Sequence, residues 1–286
     1  MTLRAAVLGH PISHSKSPAL HRAAYARLGV EIEYTAIDVT VPELPAFMET
    51  VRSQPGWRGL SVTMPLKAAM VSEVDEVRGV AGILGVVNTV AFEAEGTSVR
   101  RIGYNTDVAG IVNAVRHAGV VSAPSAVILG GGGTSAAAIA ALKDLGAPTA
   151  DVFVRDVGRA AEARAASDGV GLPIRVLPLS GAAAAMAAAD VVISTLPPHG
   201  ADALADELAA LHAATPGVLL DVAYDPWPSR IASVWQDGGG AVVPGLEMLL
   251  YQAVEQVRFF SGLGYDVTAD VIDVMCDAVG APRRVF

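Results

Sequence analysis

Cysteine is almost absent: Cys276 is the single one in 286 residues. One thiol makes no internal disulfide and supplies no multi-cysteine zinc or iron–sulfur site. Charge is scarce too, at 17% of residues, with 20 Lys+Arg against 29 Asp+Glu and a net charge of −9. That shortage of basic side chains argues against nucleic acid, and against an anionic membrane surface, as partner. No run of about 18 strongly apolar residues is unbroken, so no transmembrane span is expected. The opening segment, residues 1–9, has too short an apolar run for a secretory signal. What the chain does have is apolar side chain, 52% of it. At roughly 100–200 residues per domain, that suits two domains, each with a buried core. The expectation is a soluble, cytoplasmic, globular protein.

The first hundred residues read as alternating strands and helices. Residues 5–8 are a short apolar run ended by Gly9 and Pro11. From Ser17 and Pro18, the apolar Leu20, Ala24 and Leu28 recur at helical spacing, and Gly29 supplies a stop. Residues 34–39 and 60–64 read as strands, the second stopped by Pro65, with a helix over 42–51 between them. Residues 86–92 and 99–102 alternate as a pair about Glu95 and Gly96. A helix over 107–117, ending at Gly119, and a loop over 120–124 lead to a buried strand over 126–129. Strand-like 152–154, 174–177, 191–194, 218–221 and 241–243 then alternate with helical stretches, the rhythm of a parallel sheet with crossover helices. Helices near 246–260 and 268–279 close the chain.

Directly after the 126–129 strand come Gly130, Gly131, Gly132 and Gly133, then Thr134, Ser135 and an alanine-rich helix. Strand, Gly130-x-Gly132-x-x-Ser135, helix is the context a dinucleotide fingerprint requires. Glycines allow a tight turn and let backbone N–H groups approach a pyrophosphate at a helix N-terminus. The plainer alternative is an ordinary strand-to-helix turn. The end of the next strand offers two opposed signals, Arg155-Asp156-Val157-Gly158-Arg159. Asp156, about 20 residues past the glycine turn, would accept a ribose 2′-hydroxyl and points to NAD. Arg155 and Arg159 can flank a 2′-phosphate and point to NADP. Asp156 is equally able to turn inward and cap the following helix, with Arg159 in that helix's first turn. The residues alone leave both cofactors open.

Polar clusters stand where plain strands and helices would be apolar. Ser13-His14-Ser15-Lys16-Ser17 lies between the first strand and helix, and Thr63 and Lys67 stand at a strand end. Asn88-Thr89 follows an apolar stretch, and Asn105-Thr106-Asp107 meets a helix start. Hydroxyls, amides, one lysine and one carboxylate suit a polyhydroxylated, anionic small molecule. They form neither a Ser-His-Asp order nor a metal-ligand spacing, so no metal is expected. Each also has a plainer reading. Ser17 and Asp107 can be helix N-caps, and Lys67 a solvated lysine. His10, His14 and His21 can be hydrogen-bonded or exposed, Cys276 a packing residue, and Tyr224 part of a rigid loop with Pro226-Trp227-Pro228.

Taken together, these segments resemble the shikimate dehydrogenase family from the N-terminus to about residue 262. Seven occur in the family's order. They are residues 9–18, 61–67, 85–89 with 105–107, the glycine turn, Ser194-Thr195-Leu196-Pro197, residues 221–226 and residues 245–252. The resemblance implies an α/β protein with an N-terminal substrate domain completed by C-terminal helices (1–106 and 247–286) and a Rossmann-type dinucleotide domain (107–246). It implies NADP-linked interconversion of 3-dehydroshikimate and shikimate in a protein working as a monomer or homodimer. By the same resemblance, Ser15, Ser17, Thr63, Asn88, Asp107, Tyr224 and Gln252 hold the substrate, with Lys67 and Asp107 at the reacting centre. Gly130, Gly131, Gly132, Gly133 and Thr134 then hold phosphates, and Arg155 and Arg159 face the 2′-phosphate. Thr195, Val222 and Gly245 complete the cofactor set.

Two departures stand out. Ser61 occupies a position where the family often carries Asn, and Val154-Arg155-Asp156 replaces a common Asn-Arg-Thr. Sibling activities, quinate or aminoshikimate oxidation with NAD, are the alternative, followed by a non-catalytic metabolite-binding regulator. The chemistry suits the residues in its own right. A ketone being reduced needs a proton source for the developing alkoxide, which an ammonium both stabilises and protonates. A neighbouring carboxylate keeps such an ammonium charged.

Overall fold

A computed structural model describes residues 2–96, 98–120, 122–262 and 267–283. Val121, inside the expected 120–124 loop, lies outside the described residues, as do 263–266 and 284–286 of the expected 247–286 segment. The chain divides into two compact units: unit 1 is Met1–Thr106 with Gln252–Phe286, and unit 2 is Asp107–Tyr251.

Unit 1 is built on a mixed sheet of β1 (Leu3–Gly9), β2 (Ile32–Asp38), β3 (Trp57–Val62), β4 (Glu76–Val77), β5 (Thr89–Glu95) and β6 (Ser98–Tyr104). Their order is β2-β1-β3-β5-β6-β4. β1 pairs in parallel with β2 and β3, while β5 runs antiparallel to β3 and β6. Helix α1 (Ser17–Leu28) starts with Pro18 in its first turn, where a missing N–H costs nothing. Helix α2 (Leu44–Ser53) buries Leu44, Met48 and Val51 against Ala6, Leu8, Leu60 and Val62 of the sheet. Those three apolar residues, spaced four and three apart, form one face of the helix.

Three local differences from the expected elements bear on function. β3 ends at Val62, so Thr63 and Met64 lie in the following loop rather than on the strand, with Lys67 further along that loop. Thr63 N–H donates to the Leu8 carbonyl at 2.9 Å, and Leu66 N–H donates to the Thr63 carbonyl at 2.9 Å, closing a turn over Pro65. β5 begins at Thr89, not at 86. Val86 and Val87 are buried without belonging to a strand, because Val87 N–H turns to the Lys67 carbonyl instead. Finally, β4 and the short helix α3 (Val80–Leu84) fill a stretch that carries no readable period.

Unit 2 opens with α4 (Asp107–His117) and holds a fully parallel sheet. Its strands are β7 (Ala126–Leu129), β8 (Ala150–Val154), β9 (Ile174–Pro178), β10 (Val191–Ser194), β11 (Val218–Asp221) and β12 (Ala241–Pro244). The order β12-β11-β10-β7-β8-β9 places the first strand centrally and reverses direction of growth beside it. This is the doubly wound dinucleotide-binding arrangement, with a crevice at the carboxyl ends of the central strands. Helices α5 (Gly133–Asp144), α6 (Ala161–Val170), α7 (Ala182–Ala187), α8 (Asp202–Ala210) and α9 (Arg230–Asp237) make the crossovers. β7 and β10 are buried at all four positions, as parallel strands covered on both faces must be. The last two helices are α10 (Gly245–Ser261) and α11 (Ala269–Val279), and α11 packs on α1 within unit 1.

Candidate functional site

In unit 1, Ser15, Ser17, Thr63 and Lys67 of the candidate set sit on or just beyond the loops that leave the carboxyl ends of β1 and β3. The loop after β1 is tied down by Asp38, at the end of β2. Its carboxylate accepts from Ile12 N–H at 3.2 Å and sits 2.6 Å from His10 Nδ1. The bond with His10 is the main reason the Asp38 carboxyl titrates below its ordinary range. His10 N–H donates to the Met64 carbonyl at 3.0 Å, which joins this loop to the Thr63–Lys67 loop. Lys67 in turn accepts Val87 N–H on its carbonyl at 2.9 Å, drawing in the segment that carries Asn88. Backbone bonds alone therefore gather the loops of Ser15, Thr63, Lys67 and Asn88.

Ser15 Oγ accepts from Ser17 N–H at 3.3 Å. Ser17 is not an N-cap: it is the first residue inside α1, after Lys16, and is buried. Asn88 is 1% exposed and its amide is held on both sides. Oδ1 accepts from Thr106 N–H at 2.7 Å and from Thr89 Oγ1 at 2.8 Å, while Nδ2 donates to Thr106 Oγ1 at 3.0 Å. Gln252 on α10 reaches the same group, with Oε1 3.5 Å from Thr106 Oγ1. The structure thus brings together Asn88, Gln252 and Thr106, the last a hydroxyl not among the expected site residues. His21 is hydrogen-bonded rather than exposed, between Tyr25 Oη and Gln256 Oε1.

Unit 2 presents the glycine turn at the end of β7. Gly130 has φ +112°, and a Cβ there would lie 2.3 Å from Thr195 Oγ1, so only glycine fits both the conformation and the space. The turn feeds straight into α5, whose first residue is Gly133 and second Thr134. First-turn amides and the positive end of the helix dipole therefore face the mouth of the turn, a ready anion site. Gly131 and Gly132 complete the approach, and Ser135 is fully buried behind it.

At the end of β8, Arg155 and Arg159 are both exposed. Asp156 is drawn back: its Oδ1 accepts from Gly158 N–H at 2.9 Å and caps the 3-10 turn Val157–Arg159. This differs from the expected cap of α6, which begins later at Ala161, and Arg159 lies in the turn rather than in that helix. A single turn suffices because Arg159 N–H already returns to the Asp156 carbonyl at 3.1 Å.

Val222 follows β11, its N–H donating to the Ser194 carbonyl at 2.9 Å. Gly245 comes so close to it that an added Cβ would lie 2.1 Å from the Val222 carbonyl oxygen. Beside them, Asp221 is buried, and burial pushes its carboxyl above the ordinary range although Ser229 Oγ donates to it at 2.6 Å. Burial likewise raises the Tyr224 phenol. Asp107 is the first residue of α4 and is buried, and so is the first residue of unit 2, while Lys67 belongs to unit 1. Among the described residues no group of three His, Cys, Asp or Glu side chains is placed to hold a metal ion. No described helix is long and apolar enough to cross a membrane.

Comparison with known proteins adds to this geometry. A family model described as the shikimate dehydrogenase substrate binding domain matches residues 7–90. A protein of Rubrobacter xylanophilus named shikimate dehydrogenase (NADP(+)) is 38% identical over 268 residues, covering 92% of this chain and 92% of its own length. The crystal structure of Mycobacterium tuberculosis shikimate dehydrogenase aligns with a TM-score of 0.84 at 37% identity, over 97% of this chain and 99% of that one. Shikimate 5-dehydrogenase from Thermus thermophilus, solved in complex with NADP(H) and shikimate, aligns with a TM-score of 0.78 at 31% identity, over 96% of this chain and 99% of that one. This chain belongs to the shikimate dehydrogenase family.

Proposed function

We propose that the protein is an NADP-dependent shikimate dehydrogenase, an oxidoreductase that reversibly reduces 3-dehydroshikimate to shikimate. The observation that carries this reading is similarity along 96% of the chain to an enzyme solved with both NADP(H) and shikimate. The turn at Gly130 supports it, since a side chain there would fill the space beside Thr195 that backbone must keep clear.

In this reading bound NADPH supplies the hydride. Lys67 stabilises the negative charge growing on the carbonyl oxygen and delivers the proton. Asp107 keeps that ammonium protonated and oriented. Ser15, Ser17, Thr63, Asn88, Tyr224 and Gln252 fix the ring, because orientation supplies much of the rate. Arg155 and Arg159 hold the 2′-phosphate, with Gly130, Gly131, Gly132, Gly133 and Thr134 on the remaining phosphates. Val222 and Gly245 lie near the nicotinamide, and Thr195 completes the cofactor set. The single cysteine suits a cytoplasmic enzyme, and we take it to act as a monomer or homodimer.

One experiment tests the reading: oxidation of shikimate and of quinate by the purified protein, each with NADP and with NAD. Shikimate with NADP is expected to give the highest kcat/KM. Higher efficiency with quinate and NAD would replace this assignment with the sibling activity.

A further inference from the structure

Gln256 lies on α10, one helical turn past Gln252, and is 1% exposed. Its amide has four polar neighbours, and together they dictate where each proton sits. Nε2 is 3.3 Å from the Asn88 carbonyl and 3.0 Å from Thr89 Oγ1. A carbonyl oxygen only accepts, so the NH2 group must face it and Oε1 must face the opposite way. Oε1 is 2.7 Å from Ser61 Oγ and 3.2 Å from His21 Nε2, and both must therefore donate. Having donated to Gln256, Ser61 accepts from Tyr34 Oη at 2.6 Å. His21 is fully buried, stacked on Tyr34 with ring centroids 4.0 Å apart. Burial pulls its imidazole down to about 3, so at neutral pH it carries a single proton, on Nε2. Nδ1 then accepts from Tyr25 Oη at 3.1 Å.

The assignment continues on the other side of the amide. Thr89 Oγ1 accepts from Gln256 and so directs its own proton to Asn88 Oδ1, 2.8 Å away. Thr106 N–H points at the same oxygen. Asn88 Nδ2 must then face Thr106 Oγ1, whose own proton has three acceptors within reach: Thr89 Oγ1 at 3.2 Å, Asn88 Oδ1 at 3.3 Å and Gln252 Oε1 at 3.5 Å. From Tyr25 to Gln256 the string admits one arrangement of donors and acceptors, and Thr106 N–H sets the Asn88 amide in the matching sense. A buried polar network of this kind specifies geometry as long as every member is satisfied.

We propose that Gln256 is a positioning residue: through Thr89 and the Asn88 carbonyl it reinforces the orientation that Thr106 N–H gives the Asn88 amide, and so tightens which ligand hydroxyl Asn88 recognises. Gln256 acts through Asn88 and not on the ligand. The inference rests on the reading of Asn88 as a substrate contact. Ser61, whose hydroxyl is committed to this string, is then a support for Gln256 rather than a part of the substrate surface.

The relay is tested at Thr89, where Thr89→Val keeps the shape and the strand preference but removes the hydroxyl. The Michaelis constant for shikimate is expected to rise about 10-fold, as for loss of one aligned hydrogen bond. The Michaelis constant for NADP should stay within about two-fold, and Thr89→Ser should restore the wild-type value for shikimate. Gln256→Met is expected to match Thr89→Val if it folds. A second measurement needs no substrate: exchange of the Asn88 side-chain amide protons, expected to be about 10-fold or more faster in Thr89→Val than in wild type or Thr89→Ser. A folded Thr89→Val with unchanged shikimate binding, or with equally protected Asn88 amide protons, would overturn the proposal. A wild-type protein that does not turn over shikimate would instead sink the functional reading, and the exchange measurement would still decide whether Gln256 holds Asn88.

Discussion

The hydroxyl of Ser135 donates to that of Thr195 across 2.7 Å, because Thr195 Oγ1 has committed its own proton to the Leu129 carbonyl at 2.8 Å. This bond ties the third position of the glycine turn to the end of the neighbouring strand. It explains how a serine serves where the fingerprint usually carries glycine or alanine. Thr195→Val leaves the Ser135 hydroxyl buried without its acceptor and is expected to destabilise unit 2 by about 1–3 kcal/mol. Adding Ser135→Ala should recover most of that loss, since removing both partners of a buried bond is nearly neutral. Denaturant unfolding of the two single variants and the double variant checks it. Additive losses would show that the two hydroxyls do not depend on each other.

Lys67→Ala is expected to lower kcat by about 10²–10⁴-fold with little change in substrate binding. Asp107→Ala should also lower kcat. On the proposed roles of the two residues, the double variant should lose far less than the product of the single losses. Single-turnover rates on the four proteins give the comparison, and strict additivity would argue that the two residues act independently.

On the proposed reading, cofactor choice hinges on the end of β8, where Asp156 spends one carboxylate oxygen on Gly158 N–H while Arg155 and Arg159 stay exposed. Arg155→Ala should erode the preference for NADP over NAD by about 10-fold or more, with NAD use nearly unchanged. The ratio of kcat/KM values measures this directly. An equal loss with both cofactors would mean that Arg155 serves the fold or the shared pyrophosphate, not the 2′-phosphate.

His21 gives stability a pH dependence whose sign is fixed. Its folded pKa, about 3, lies below the ordinary imidazole value of 6.5, so between those values the unfolded chain binds more protons than the folded one. Stability therefore rises with pH across that window, and the contribution is lost as pH falls. His21→Gln keeps an amide donor for Gln256 but does not titrate. It should be less stable than wild type near pH 7, with a gap that narrows towards about pH 4 by an amount on the order of a few kcal/mol. Parallel stability curves for the two proteins would show that His21 is not held neutral.

How much of this was legible in the sequence depended on which physical signal each part leaves. The parallel sheet of unit 2 showed through because its central strands are buried on both faces and appear as apolar runs, Ala126–Leu129 and Val191–Ile193 among them. The helix over Asp107–His117 was readable from its apolar period and the glycine beyond it. The five residues of α3 make little more than one turn, too short to show a period, and Val86 and Val87 are apolar for burial without being strand. In the candidate site, Asn88, Lys67 and Gln252 stood out as polar residues set in family motifs. Gln256 did not, since a glutamine on a helix ordinarily reads as solvent-facing. Its spacing of four from Gln252 was the available clue, and it needed the burial of that helix face to become informative.

Thr106 and Gln252 are the last and first residues of the two segments of unit 1, and their side chains meet at 3.5 Å. The two ends of the intervening 107–251 stretch therefore leave unit 1 from neighbouring points. Chain ends this close can be joined by a connector of a few residues, at about 3.3–3.6 Å per extended residue. Unit 2 has the anatomy of a cassette spliced into a host loop, and the host's strand order β2-β1-β3-β5-β6-β4 is complete before the splice begins. Unit 1 can thus acquire its sheet during synthesis before any of the cassette exists. It waits for residues some 145 positions later in the chain, beginning at Gln252, to bring in the glutamines that reach Asn88 and Thr106.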